Sequence, residues 1–344
     1  MRRLAARVPL GPNRALHSIR SSRPRRYSWL YPAAESASLM TLDPLLAIAS
    51  FGIGIVVGLT GMGGGALMTP ALVLFFGVAP LTAVSSDLVA SALMKPVGSF
   101  VHLRRGTVNL QLVKWLCLGS VPGAFGGVLL ARSLGSGEDI QNLIRTALGV
   151  ALLLAAAGLI VRAYLRLVEH ARQRDGRAEP LPQGRPQVQL RHVPTVLLGL
   201  LGGIVVGLTS VGSGSLIIIA LMGLYPTLKA SELVGTDLVQ AVPLVAAAAL
   251  GHIFFGDFQL ELTTSLLLGC IPGVWLGAQL SARASGGLVR RALAFVLLAS
   301  ALKLLNVSNA HTGIILTLIL VLAPLAWMLV RRRHGFPAFA RSRR

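Results

Sequence analysis

The feature that most constrains this chain is its series of long apolar segments. They lie at roughly 44–60, 64–77, 82–103, 109–131, 142–165, 194–208, 214–225, 231–254, 260–282, 287–306 and 311–330. A helix needs about 20 apolar residues to cross the hydrocarbon of a bilayer, and most of these segments approach that length. With 54% hydrophobic and only 13% charged residues, the composition is too apolar for an ordinary soluble domain. The expected fold is all-α: a polytopic transmembrane helical bundle seated in a lipid bilayer.

Two interruptions stand out. Gly58-Leu-Thr-Gly-Met-Gly-Gly-Gly-Ala-Leu-Met-Thr-Pro70 places Gly61, Gly63, Gly64 and Gly65 within an apolar run. Glycine costs a helix about 1 kcal/mol relative to alanine, so this cluster is expected to break it. A weaker version recurs at Gly207-Leu-Thr-Ser-Val-Gly-Ser-Gly214. Irregular backbone at membrane depth persists only where protein buries it or a wet cavity receives it. Matched interruptions in two halves of a chain point to a transporter's binding site.

The halves are related in sequence. Val84-Ser-Ser-Asp87-Leu-Val matches Val234-Gly-Thr-Asp237-Leu-Val, 150 residues on. His102, Gly106, Pro122-Gly123 and Gly127 match His252, Gly256, Pro272-Gly273 and Gly277 at the same spacing. Leu143-Ile-Arg145 matches Leu288-Val-Arg290. The expected organisation is a basic N-terminal extension (1–39), a first repeat (40–165), a basic polar linker (166–192), a second repeat (193–306), an extra helix (307–330) and a basic tail (331–344). Each repeat holds about four helices if a broken pair counts as one. Residues 1–39 carry eight arginines and Glu35 as their only acid. Three readings fit them: a mis-called start upstream of Met40, which is favoured, a transit peptide, or a cytoplasmic tail.

The net charge of +20 does not signal nucleic acid. The basic residues cluster before Met40, between Arg162 and Arg191 and after Arg331, as flanks and loops of membrane spans do. No basic stripe interleaved with aromatics is present. Cys117 and Cys270 have no second cysteine at metal-ligand spacing. Neither a metal site nor a cofactor motif is expected. Gly61-Met-Gly63-Gly64-Gly65 has no following Lys-Ser/Thr and no β-α context for a nucleotide loop. There is no Gly-x-Ser-x-Gly or His-Glu-x-x-His, so no enzyme is expected. The sequence carries no signal for oligomeric state.

Several motifs in order resemble the sulfite exporter TauE/SafE family of membrane permeases. They are the glycine-rich start at Gly58, His102-Leu-Arg-Arg-Gly106-Thr-Val-Asn109 after a helix, and Pro122-Gly123 with Gly126-Gly127. The resemblance covers about residues 44–306. It implies a permease of two related halves that moves small sulfur-containing anions such as sulfite or sulfonates. The second half departs from the pattern: Ser210, Ser213 and Ser215 stand where the first has Gly61, Gly64 and Ala66.

Candidate site residues follow from charge and helix ends. A helix N-terminus exposes unpaired N–H groups and about half a positive charge, which suits a small anion. The first break offers Thr60, Gly61, Gly63, Gly64 and Gly65; the second offers Thr209, Gly212, Ser213, Gly214 and Ser215. The alternative is close helix packing by small residues, the reading given to Gly58, Gly77, Gly199 and Gly203. Lys95 lies deep in segment 82–103, where a charge costs about 2.5–3.5 kcal/mol on insertion scales. It is read as an anion ligand, or as paired with an acid such as Asp87. Asp87 and Asp237 are either early-turn caps or coupling carboxylates. His102 and His252 are either interfacial or proton-relaying. The function expected is ion-coupled secondary transport of a small anion by alternating access, in the cell membrane, or in an organelle inner membrane if residues 1–39 are a transit peptide. An anion channel and a non-transporting membrane interaction protein are the alternatives.

Overall fold

A computed structural model describes residues 42–60, 64–104, 106, 108–135, 137–174, 189–226, 228, 230–280 and 286–334. The chain divides into Met1–Thr41 and Leu42–Arg344. The first unit, with the 1–39 extension, lies outside the described residues. So do Gly61, Gly63, residues 175–188 of the linker and residues 335–344.

The described residues form eleven helices: α1 (Pro44–Thr60), α2 (Gly65–Phe75), α3 (Pro80–Arg104), α4 (Leu110–Ser133), α5 (Glu138–Arg174), α6 (His192–Thr209), α7 (Leu216–Leu224), α8 (Ala230–Phe255), α9 (Leu260–Leu280), α10 (Gly286–Leu304) and α11 (Asn309–Arg333). Six of them are long and apolar enough to cross a membrane: α4, α6, α9 and α11 in full, and the apolar parts of α5 and α8. The fold is all-α, as the apolar runs require. The starts follow local chemistry. Pro80 opens α3, a position where its missing N–H costs nothing. Asn109 caps α4, its side chain accepting from the Leu112 amide at 3.1 Å. One boundary needs correction. Residues 166–174, expected in the linker, continue α5. The apolar stretch ends near Leu165, but the following Arg-Leu-Val-Glu-His-Ala-Arg is rich in good helix formers, so the helix outlasts its hydrophobic part.

The breaks fall where expected. At 1.5 Å per residue, the 11-residue α2 and the 9-residue α7 are about 16 and 13 Å long. Neither spans a bilayer alone. Gly64, Gly65 and the whole of Ser210–Ser215 are buried, so the irregular backbone of Ser210–Ser215 is enclosed by protein.

The two halves interlock. Helix α1 packs on α9, and α6 packs on α4, so the first helix of each set lies against a helix of the other. Helix α3 packs on α8, and α5 on α10. Glycines at four-residue spacing make the crossed pairs close. A Cβ built on Gly119, Gly123 or Gly127 of α4 would meet the Val196, Leu200 or Ile204 carbonyl of α6 at 2.0, 2.4 or 2.7 Å. From the other side, one on Gly203 or Gly207 would meet the Ser120 or Ala124 carbonyl at 2.4 or 2.3 Å. The α1–α9 seam repeats this: Gly58 faces the Val274 carbonyl at 2.3 Å, and Gly273 faces that of Phe51 at 2.3 Å. These are backbone-to-backbone contacts that dispersion can exploit where lipid offers no hydrophobic driving force. Gly58, Gly199 and Gly203 thus pack as expected. Gly77 does not: it has φ +64° with nothing within 4 Å of its built Cβ, and serves the turn between α2 and α3.

Helix α11 stands apart. It packs on α10, with most of its side chains exposed on the protein and available to lipid.

The seam yields a paired expectation. Gly123→Leu, driven into the Leu200 backbone, should destabilise the protein by about 1–3 kcal/mol through overpacking. Gly126→Leu, three residues along with nothing within 4 Å, should be near neutral. Thermal unfolding of both variants in detergent, followed by fluorescence-detected size exclusion, measures the difference.

Candidate functional site

The two breaks meet. A Cβ on Gly65, the first residue of α2, would lie 2.0 Å from the Ser210 carbonyl and 2.6 Å from Ser210 Oγ. Only glycine permits that approach. Ser210 itself closes α6 in the left-handed region at φ 59°, its amide donating to the Val206 carbonyl at 2.7 Å. Gly212 and Gly214 follow with φ of 136° and 96°, conformations L side chains rarely adopt. The chain then enters α7.

Helix α3 runs past both breaks and presents three polar side chains to them. Asp87, Ser91 and Lys95 are spaced four apart and therefore share a face. Asp87 Oδ2 accepts from Thr69 Oγ1 of α2 at 2.9 Å and from the Ser210 hydroxyl of the second break. Among the described residues its other oxygen, Oδ1, has no hydrogen-bond partner, and neither has Ser91 Oγ. Two turns along, Lys95 Nζ donates to Ser213 Oγ at 2.5 Å. Lys95 is 7% exposed, and Asp87 is fully buried. The lysine lies within electrostatic reach of both Asp87 and Asp237, yet its hydrogen bond goes to a serine.

Asp237 comes from α8. Its Oδ1 accepts from Gln240 Nε2 at 3.1 Å, and Gln240 Oε1 accepts in turn from Ser120 Oγ of α4 at 3.0 Å. The Gly214 amide of the second break also acts on the Asp237 carboxylate. Ser99 Oγ of α3, 2.7 Å from the Leu238 carbonyl and 3.0 Å from that of Lys95, ties this part of α8 to the turn that carries the lysine.

The early-turn capping reading of Asp87 and Asp237 is therefore replaced. Each is the eighth residue of its helix, two turns from the start, and their side-chain partners are Thr69, Ser210 and Gln240 rather than first-turn amides. The helix-terminus reading also changes at α7. The amides of Leu216 and Ile217 both point to the Gly212 carbonyl, at 3.0 and 3.3 Å, so this first turn satisfies its own donors. At α2, the Leu67 and Met68 amides bond the Gly64 carbonyl. Thr60 and Thr209 turn their hydroxyls back to the Val56 and Val205 carbonyls of their own helices. Ser215 is buried at the start of α7. The cation at the breaks is thus the Lys95 side chain rather than a free helix end.

The matched histidines diverge. His252 is fully buried, with Nε2 donating to the Gly207 carbonyl of α6 at 2.8 Å and Nδ1 2.8 Å from Ser85 Oγ of α3. It satisfies a carbonyl that the second break leaves without a helical partner. His102 is half-buried in the last turn of α3. Among the described residues no group of three His, Cys, Asp or Glu side chains could hold a metal.

Sequence reasoning missed Thr69, Ser91, Ser99 and Gln240. For Ser91 a signal existed: it sits midway between Asp87 and Lys95 at helical spacing. Gln240 lies three residues after Asp237. Thr69 and Ser99 had none, because their partners are on other helices.

A polytopic helical bundle with a polar cluster held at two buried breaks is the architecture of a membrane transporter. The family model for the sulfite exporter TauE/SafE matches residues 46–304, and the chain belongs to that family. It is 39% identical over 254 residues to the probable membrane transporter protein YjnA of Bacillus subtilis, covering 74% of this chain and 96% of that one. It is 26% identical to YdhB of the same organism over 237 residues, 68% of this chain and 89% of that one. A probable membrane transporter protein of Xylella fastidiosa is 27% identical over 271 residues, 76% and 95% of the two chains. No solved structure matches the chain.

The Asp87 bridge has a measurable energy. Ser210→Ala removes a hydrogen bond to a buried carboxylate and should cost about 1.5–3 kcal/mol. Combined with Asp87→Asn the losses should be strongly non-additive. A double-mutant cycle on thermal or denaturant unfolding reads the coupling.

Proposed function

We propose that this protein is a secondary permease for a small anion, sulfite or an organosulfonate, working in the cell membrane by alternating access. Residues 40–165 and 193–306 would be its two repeats. The observation that carries the reading is Lys95: a buried ammonium aimed at Ser213, at the point where the two halves' breaks abut. A cation in low dielectric is stabilised by an anionic partner, and Lys95 with Ser213 offers donors to an oxyanion. The glycines at Gly64, Gly65, Gly212 and Gly214 let the chains close around that point.

The burial of Asp87, Asp237 and Ser213 favours a carrier over a channel. The polar cluster is sealed, so an anion reaches it only when the packed halves move. The crossed α1–α9 and α4–α6 seams supply rigid units for such a movement. The two buried carboxylates suit ion coupling, since each can take up and release a cation.

The test is uptake of labelled sulfite and of a simple alkanesulfonate into liposomes carrying the purified protein. Flux should saturate and show counterflow. Lys95→Gln should raise the half-saturating concentration or lower the maximal rate by about 10- to 100-fold, the worth of a charge-assisted hydrogen bond, with Lys95→Arg intermediate. Wild-type flux that never saturates, or full activity in Lys95→Gln, would overturn the reading.

A further inference from the structure

Among the described residues three buried polar atoms on α3 have no partner, Ser86 Oγ, Asp87 Oδ1 and Ser91 Oγ, and the last two face one point. A Cβ built on Gly64 would lie 3.3 Å from Asp87 Oδ1 and 3.3 Å from Ser91 Oγ, with Met94 Cε at 3.1 Å. Both oxygens are without a hydrogen bond, and both residues are at most 1% exposed. Leaving a buried acceptor unpaired is costly, and here two lie side by side where glycine withholds a side chain. A methyl group there would be crowded, its neighbours having to give by a few tenths of an ångström. The point suits a bare monovalent cation or a proton.

From this we infer that Asp87 Oδ1 and Ser91 Oγ, beside Gly64, form a binding site for a monovalent cation that loads together with the transported anion. The inference rests on the anion-permease reading for its second half only. Asp87 Oδ2 is already held by the Thr69 and Ser210 hydroxyls, so the carboxylate is fixed with its other oxygen facing the Gly64 position, as Ser91 Oγ does. The charges facing it are Lys95 on its own helix, through electrostatic reach, and Asp237 on α8, which shares that lysine. Arg162 of α5 also lies within electrostatic reach of Asp237, so two carboxylates, one ammonium and one guanidinium balance. Adding an anion at Lys95 would leave one uncompensated negative charge in a low-dielectric interior, where unpaired charge is costly. A cation on Asp87 removes the conflict. The anion and the cation then sit two helical turns apart on one face of α3, each with its own protein partner.

The site belongs to the first half alone. The corresponding positions of α8 after Asp237 are Ala241 and Val245, and Gln240 occupies one Asp237 oxygen. One cation per anion is therefore the expected stoichiometry. Sodium and the proton share the chemistry required, a carboxylate and a hydroxyl oxygen.

The test measures the cation on purified protein without any anion substrate. Radioactive sodium binding is read by scintillation proximity, and proton uptake by the infrared carbonyl band of a protonated carboxyl group on acidification. Wild type should give one of the two signals, which identifies the cation. Asp87→Asn should abolish it. Ser91→Ala removes an unpartnered hydroxyl, so the variant should fold normally while weakening cation affinity about tenfold, the value of one hydrogen bond. Gly64→Ala should weaken it further by placing a methyl group in the seat. Neither signal in wild type, or wild-type affinity in both Ser91→Ala and Gly64→Ala, overturns the cation site. A sulfite flux measured in parallel separates the two readings. Cation loading without sulfite flux refutes the anion reading alone, and saturable sulfite flux indifferent to both sodium and pH refutes the cation site alone.

Discussion

The structure depends on the Asp87 carboxylate. A broken helix in an apolar interior strands backbone groups and leaves two loose ends, and something must hold the ends in register. Asp87 Oδ2 does so by accepting from Thr69 at the first turn past one break and from Ser210 at the other. The carboxylate lies on α3, which packs against α8 at the centre of the bundle. One residue therefore joins α2, α3 and the end of α6. Gly65 makes the joint close enough, since any side chain there would meet the Ser210 backbone.

Around that joint the halves have crossed contacts and uneven chemistry. The seams are alike: α1 with α9, α6 with α4, each through glycines at four-residue spacing. The polar residues are not. The first half supplies Asp87, Ser91 and Lys95 along α3, while the second supplies Ser210 and Ser213 in the break and Asp237 with Gln240 on α8. His252 supports this framework by holding the Gly207 carbonyl and Ser85. The like packing surfaces give the two halves the same kind of glycine seam. Unlike polar residues make the space between them an oriented site, with a cation on one side and hydroxyls on the other.

Much of this was legible in the chain. Helix positions, the two breaks and the oddity of Lys95 came from hydrophobic length, glycine clustering and the cost of a buried charge. Each is a local property. The errors share a cause. Linker residues 166–174 were misplaced because apolarity marks the membrane-length part of α5 rather than its end. For Asp87 and Asp237 the capping alternative arises because sequence distance to a helix start is visible, whereas the hydroxyl or amide that meets a carboxylate is not. The α7 terminus was read as open because the turn that brings Gly212 back onto its first amides depends on two left-handed glycines.

By itself the sequence determined that this protein is an α-helical membrane protein with two interrupted helices and an ionisable residue deep among them. Those conclusions rest on desolvation, which acts on each segment whatever its neighbours. Only the tertiary structure decided that the breaks touch, that Lys95 reaches Ser213 across from another element, and that Asp87 keeps one oxygen free beside Ser91. The first two of these pairings join residues remote in sequence, and the third depends on Thr69 and Ser210 holding the other Asp87 oxygen. Their geometry follows from how closely the glycine seams let the helices approach, a quantity that no single segment contains.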